Sequence, residues 1–68
     1  MNFHVELEQE TDGRWIGEVS ELPGVMAYAP SRADALARVQ ALALRVLADR
    51  LEHGEGSANL LTVVFEAA

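Results

Sequence analysis

The segment from Arg32 to His53 constrains the fold of this chain more than any other feature. It contains neither glycine nor proline and is rich in alanine and leucine, which have the highest helix propensities. Ser31 is a favourable N-cap, Asp34 stands where a carboxylate can reach back to free amides, and Gly54 supplies a C-cap. The pattern predicts one long helix, and in a chain of 68 residues the other elements must pack against it.

The predicted helix has a wide apolar surface. Three- and four-residue spacing predicts a stripe facing a sheet, formed by Leu36, Val39, Ala43, Val46, Leu47 and Arg50. Three further leucines, Leu42, Leu44 and Leu51, widen the apolar arc beyond what one sheet face needs. Two interpretations stay open: a wide stripe over a twisted sheet, or a dimer interface that includes these three leucines.

A strand-like segment begins the chain. In residues 2–10 apolar side chains alternate with polar ones, which is typical of a strand with one buried and one charged face. The apolar set is Phe3, Val5 and Leu7, and the polar set is His4, Glu6, Glu8 and Glu10.

Two turn motifs continue the chain into further strands. Asp12-Gly13 is a strong hairpin signal and leads into a second strand at residues 15–20. The segment LPGV at residues 22–25 predicts a type II turn and leads into a third strand at residues 25–29. The predicted faces are Trp15, Gly17 and Val19 on one side of the second strand, Ile16 and Glu18 on the other, and Met26 with Tyr28 on the third.

A last strand is predicted at residues 60–65 (LLTVVF), a nearly continuous apolar run expected to be covered on both sides, after a polar turn at residues 55–59. The order β-β-β-α-β makes the first three strands an antiparallel meander and returns the chain parallel to the first strand. The predicted fold class is α+β, a two-layer fold with a four-stranded mixed sheet of order 3-2-1-4 and one long helix on one face. The other face is expected to meet water, a second copy or a partner protein.

Size and composition indicate one domain, residues 1–68, that needs support from a partner. A chain this short buries only roughly 60% of its unfolded surface, so its core is marginal. Cysteine is absent, which excludes disulfides and thiolate metal sites, so we expect a homodimer or a higher homo-oligomer. Neither a signal peptide nor a bilayer-spanning run is evident, and the expected location is the cytoplasm.

Charge restricts the class of partner. The chain carries 5 basic residues, all of them arginine, against 11 acidic ones, which gives a net charge of −6 with neutral histidines. A nucleic-acid binder needs a basic patch to neutralise phosphates, whereas an acidic surface attracts basic proteins. We therefore expect no direct nucleic-acid binding.

The chemistry-bearing residues do not form a catalytic pattern. No serine has an activating base, His4 is expected on the polar face of the first strand, and His53 is expected to stabilise the helix end. The glutamates of the first strand, with Glu18 opposite, are compatible with a two-metal nuclease, but such alternation is far more often a solvated strand face. We predict a non-catalytic domain without metal or cofactor, and a metal-dependent nuclease is the remote alternative.

Three motifs in combination resemble the HicB-like antitoxin family. They are residues 12–19 (DGRWIGEV), residues 21–25 (ELPGV) and the capped helix start at residues 31–37 (SRADALA). The resemblance covers residues 2–53, and the last strand fits the family's fold. It implies a partial ribonuclease H-like fold without nuclease activity. It also implies a small basic toxin partner, HicA, which cleaves messenger RNA and whose active site the antitoxin covers.

The resemblance also bears on DNA binding. Antitoxins of this family often carry a C-terminal operator-binding segment, of the helix-turn-helix or ribbon-helix-helix kind. The present sequence ends at Ala68 without one, so we expect a short stand-alone member that does not bind its operator.

The candidate partner-binding residues follow from surface chemistry rather than from the family. They are Glu6, Glu8, Glu10, Glu18, Glu21 and Tyr28. The leading hypothesis is an antitoxin or antitoxin-derived binding module. The alternative is a stand-alone dimerising or ligand-binding domain with no toxin partner.

Overall fold

The structure is a computed structural model that describes residues 1–54 and 62–67. Its elements, in chain order, are β1 (Asn2–Gln9), β2 (Trp15–Val19), β3 (Met26–Ala29), α1 (Arg32–Glu52) and β4 (Val64–Ala67). The strands form one sheet of order β3-β2-β1-β4. β1 pairs antiparallel with β2 and parallel with β4, and β2 pairs antiparallel with β3. The predicted α+β class and strand order are confirmed.

Glycines with positive φ form the two turns of the meander. Gly13 has a φ of 93° and Gly24 a φ of 84°, a region that side chains other than glycine rarely adopt. The Gly13 N–H donates to the Glu10 carbonyl at 3.0 Å, and the Val25 N–H donates to the Leu22 carbonyl at 3.0 Å. Both turns lie where the sequence predicts them.

The helix α1 begins as its capping residues predict and ends with one difference. The Asp34 N–H donates to the Ser31 hydroxyl at 3.1 Å, which confirms the N-cap. The C-cap is His53 rather than Gly54, and the His53 N–H donates to the Asp49 carbonyl at 3.1 Å. Gly54 follows at a φ of 69°, the left-handed position that commonly ends a helix.

The core lies between α1 and one face of the sheet. Its buried residues are Phe3, Val5, Val19, Leu22, Val25, Val39, Ala43 and Leu47. On α1 the buried line runs at four-residue spacing from Ala35 to Leu47, with Leu36 and Val46 partly buried beside it. The prediction that Arg50 continues this line is wrong, since Arg50 is exposed and its guanidinium stays in water.

Gly17 sets the distance between helix and sheet. A Cβ atom at this position would lie 3.1 Å from the Ala35 carbonyl oxygen and from Val39 Cγ1, and 3.2 Å from Leu7 Cδ2. These separations are shorter than ordinary van der Waals contact. The absence of a side chain at Gly17 is therefore what lets α1 approach the middle of the sheet.

The last strand begins later than predicted. It spans Val64–Ala67, and Thr62 and Val63 precede it. Residues 55–61, which include the predicted polar turn and the first part of the predicted strand, lie outside the described residues. The prediction that this strand is covered on both sides is wrong: Val64 is 40% exposed because α1 packs against only one face of the sheet.

Candidate functional site

The face of the sheet turned away from α1, here called the open face, has no covering element among the described residues. Alternation along each strand and the pairing register place there Asn2, His4, Glu6, Glu8, Ile16, Glu18, Met26, Tyr28, Val64 and Glu66. None of these side chains is fully buried. The open face is thus one surface that the described part of the fold leaves available for contact.

Carboxylates occupy the centre of the open face. Glu6 on β1 lies directly opposite Glu18 on β2, and Glu8 lies opposite Ile16. Like charges that face each other across two strands repel. Neither Glu6 nor Glu18 forms an ion pair with any residue of the described part of the chain. No ion pair within the described residues therefore neutralises these two negative charges.

An apolar border lies beside these carboxylates on β2 and β3. Ile16 is opposite Tyr28, and Glu18 is opposite Met26. Met26 is 43% exposed and Tyr28 is 44% exposed. The Arg14 guanidinium carbon lies 4.8 Å from the centre of the Tyr28 ring, a cation–π geometry that orients the ring. Acidic and apolar groups thus adjoin on one surface.

A second polar group on the open face is centred on His4. The Nδ1 atom of His4 lies 2.5 Å from Glu21 Oε2, and its Nε2 atom lies 3.4 Å from Glu66 Oε2. The backbone N–H of His4 donates to Glu21 Oε1 at 2.9 Å. This His4 cluster connects β1 with the turn after β2 and with β4.

The contact between His4 and Glu21 shifts the pKa values of both groups. The hydrogen bond with Glu21, followed by the charge of that carboxylate, raises the pKa of His4. The same side-chain hydrogen bond lowers the pKa of Glu21, and the bond from the His4 backbone N–H adds to the effect. At a pH between the ordinary pKa values of these two groups, the protonated His4 ring is therefore paired with the Glu21 carboxylate.

The predicted partner-binding residues are only partly brought together. Glu6, Glu8, Glu18 and Tyr28 share the open face. Glu10 lies beyond the end of β1, in the hairpin, where its N–H donates to the Arg14 carbonyl at 2.7 Å. Glu21 lies in the turn after β2 with its carboxylate held by His4. Met26 and Ile16 join the surface although neither is among the predicted site residues. The sequence signal for these two residues is the alternation that places apolar side chains on this face of β2 and β3.

The predicted dimer residues are likewise divided. Leu44 and Leu51 on α1 are 51% and 48% exposed. Leu42 is partly buried against the core, and it lines a shallow groove together with Ala27 and Arg45. The exposed pair is therefore available to a second copy, whereas Leu42 also serves the core.

Other kinds of site find little support in the described residues. Within residues 1–54 and 62–67, no three His, Asp or Glu side chains are grouped so that they could hold a metal ion. No helix in this part of the chain has the length and apolar character needed to cross a membrane. Comparison with family models, with curated proteins and with solved structures gave no match.

Proposed function

We propose that this protein is a non-catalytic binding module of the HicB-like antitoxin type, whose open face docks a small basic protein. The observation that carries the proposal is the pair Glu6 and Glu18, which are exposed and directly opposed. Neither has a cationic neighbour among the described ion pairs. An arginine or lysine of a partner placed between them would replace repulsion with two attractive contacts.

The apolar border supports a protein partner rather than a free cation. Interfaces combine buried aromatic or methionine anchors with a polar surround, and Tyr28 and Met26 supply such anchors next to the carboxylates. The family-like LPGV turn at residues 22–25 leads directly into β3, the strand that carries both side chains. The motif behind the resemblance thus helps to build the proposed surface.

The overall charge supports a basic partner. With a net charge of −6, the chain repels nucleic acids and steers basic proteins towards itself. A HicA-type toxin, which the resemblance implies, has that charge. Its association with this protein is expected to weaken as salt is added, because screening acts on exposed charges over about 10 Å at moderate ionic strength.

Co-purification tests the proposal. The protein is produced together with the product of an adjacent reading frame that encodes a small basic protein, and the complex is isolated at low and at high salt. We expect a complex at low salt that dissociates at high salt. The absence of a basic neighbour, or the failure of the two products to associate at low salt, would contradict the proposal.

A second candidate function, self-association through α1, is favoured by one observation. Leu44 and Leu51 of α1 are exposed, and no described element covers them. A second copy of the chain would remove these leucines from water and support a core that is small for an independent domain. This candidate needs no toxin, and it leaves the open face free.

A further inference from the structure

The hydrogen-bonding direction of β1 alternates along its length. The Ser20 N–H donates to the His4 carbonyl at 3.1 Å, and the Glu10 N–H donates to the Arg14 carbonyl at 2.7 Å. In an antiparallel pair, every second residue turns its N–H and C=O towards the partner strand. The even-numbered residues of β1 therefore bond to β2, and the odd-numbered ones turn their backbone groups to the side of β4.

The strand β4 pairs with only the first half of the β1 edge that faces it. Its register runs from Asn2 opposite Val64 to Val5 opposite Ala67. β1 continues to Gln9, and within residues 1–54 and 62–67 no strand residue lies opposite Leu7 or Gln9. Residues 6–9 of β1, here called the open stretch, span about 13 Å at the usual rise per residue. Within it, the backbone groups of Leu7 and Gln9 that face away from β2 have no strand partner among the described residues.

The two faces beside the open stretch differ in chemistry. Glu6 and Glu8 project on the open face, and neither has an ion pair with a described residue. Leu7 projects on the other face, where it is partly buried against the core. A strand lying here would meet carboxylates on one face and an apolar side chain on the other.

The opposite edge of the sheet is less open. β3 is short, and the Val19 N–H bond to the Val25 carbonyl implies that the backbone groups of Tyr28 face outwards. The Arg38 guanidinium of α1 donates to the Tyr28 carbonyl at 2.9 Å and so occupies that acceptor. Covering edge groups in this way is a common protection against strand pairing. The open stretch of β1 has no such cover among the described residues.

We propose that the open stretch accepts an extended segment of the basic partner as an added strand, paired with the backbone of Leu7 and Gln9. Addition of a strand to a sheet edge supplies affinity through main-chain hydrogen bonds and specificity through alternate side chains. The segment alternates basic residues, which meet Glu6 and Glu8, with apolar residues, which cover Leu7. This inference rests on the proposed function for the basic character of the partner and adds the place and mode of docking.

The small area of the open face supports a partner interface that extends beyond it. Four strands at about 4.8 Å spacing and a mean length of about 17 Å give a plan area of about 330 Å². A standard interface takes about 800 Å² from each partner. A partner that binds here must therefore reach past the open face, and the open stretch is continuous with it.

The probe for this proposal is a short synthetic peptide of alternating arginine and valine. It is titrated into isotopically labelled protein, and amide exchange at Leu7 and Gln9 is followed by NMR. A chain made by chemical synthesis carries an N-methyl group on the Leu7 amide, which removes that donor and blocks an added strand. The matched control carries the same group on the Tyr28 amide, at the other edge of the sheet.

A pair of variants at Gln9 repeats the test without chemical synthesis. Gln9→Pro removes the N–H that an added strand would use, and Gln9→Ala keeps it. Proline is tolerated at this position because the N–H faces away from the sheet.

We expect the peptide to slow exchange at Leu7 and Gln9, and N-methylation of Leu7 to weaken binding by about tenfold or more. N-methylation of Tyr28 is expected to leave the affinity unchanged. Salt-sensitive binding that is insensitive to the Leu7 modification would overturn strand addition and leave the basic-partner function standing. Failure of the peptide to bind the unmodified protein would count against both.

Discussion

Glu6 and Glu18 lie directly opposite each other on the antiparallel strands β1 and β2, and no described residue forms an ion pair with either. The two carboxylates repel each other in the isolated chain, so their placement does not serve stability. Sequences that fold well generally avoid such local conflicts except where function needs them. The pair is therefore the feature of the sheet that most favours a binding role.

Removal of one of the two charges is expected to stabilise the isolated protein. The variant Glu18→Gln removes the cross-strand repulsion and should raise the free energy of unfolding by about 0.2–0.5 kcal/mol. Glu8→Gln is the control, because Glu8 faces Ile16 and has no like charge directly opposite. Urea denaturation of both variants at low salt measures the difference. A loss of stability in Glu18→Gln would show that the carboxylate has a structural partner.

Substitution at Gly17 is expected to destabilise the fold. The new Cβ atom of Gly17→Ala would meet the Ala35 carbonyl oxygen, which belongs to the helix backbone and cannot rotate away. Overpacking of this kind costs about 1–3 kcal/mol. The control Ser20→Ala, at an exposed position just after the same strand, should change little. Thermal or urea unfolding gives both values, and equal stability of Gly17→Ala and the native chain would contradict the close helix approach.

The His4 cluster predicts a pH dependence of stability. The pKa of His4 is raised above its ordinary value of 6.5, so its contribution is complete below that pH and is lost as the pH rises through the higher folded value. The pKa of Glu21 is lowered below 4.5, so its contribution is present above that pH and is lost as the pH falls through the lower folded value. The cluster is thus most stabilising between these two ordinary values.

Comparison of native protein with His4→Gln tests this pH dependence. The stability difference between them should be larger near pH 5.5 than at an alkaline pH at which His4 has lost its proton. In a Glu21→Gln background most of the pH-dependent difference should disappear, because the principal partner of His4 is gone. Urea titrations at both pH values check the result. An unchanged difference across this range would mean that the cluster does not form in solution.

Self-association predicts a concentration-dependent mass. Sedimentation or light scattering should report a dimer for the native chain and a monomer for the double variant Leu44→Gln with Leu51→Gln, since both leucines are exposed. Met26→Gln, which alters an exposed apolar residue of the open face, is the control and should leave the mass unchanged. A native monomer at high concentration would remove the helix interface as a candidate.

The architecture could be predicted from the sequence because its signals are local. Gly13 and Gly24 mark turns that only glycine tolerates well, and Ser31 marks the helix start. Once these boundaries are known, strand order follows from topology. The start of β4 could not be predicted in the same way, because the apolar run at residues 60–65 does not reveal where pairing with β1 begins.

The site was predicted less completely because it depends on register. Alternation placed Glu6 and Glu8 on one face, but the pairing of Glu6 with Glu18 requires the hairpin register. The contact between His4 and Glu21 joins residues 17 positions apart, and Glu66 reaches His4 through parallel pairing of β4 with β1. No pattern within a single segment of the sequence predicts these side-chain contacts. A histidine on a polar strand face gives no local sign that carboxylates from two other elements will surround it.

The most direct test of the proposed function is the affinity for the proposed small basic partner, taken from an adjacent reading frame, measured by calorimetric titration at low salt. The double variant Glu6→Gln with Glu18→Gln is compared with Asp49→Asn with Glu52→Gln, which removes the same charge from α1, away from the open face. The proposal predicts a loss of affinity of about tenfold or more in the first variant and little change in the second. Equal affinities for the two variants would contradict binding at the open face.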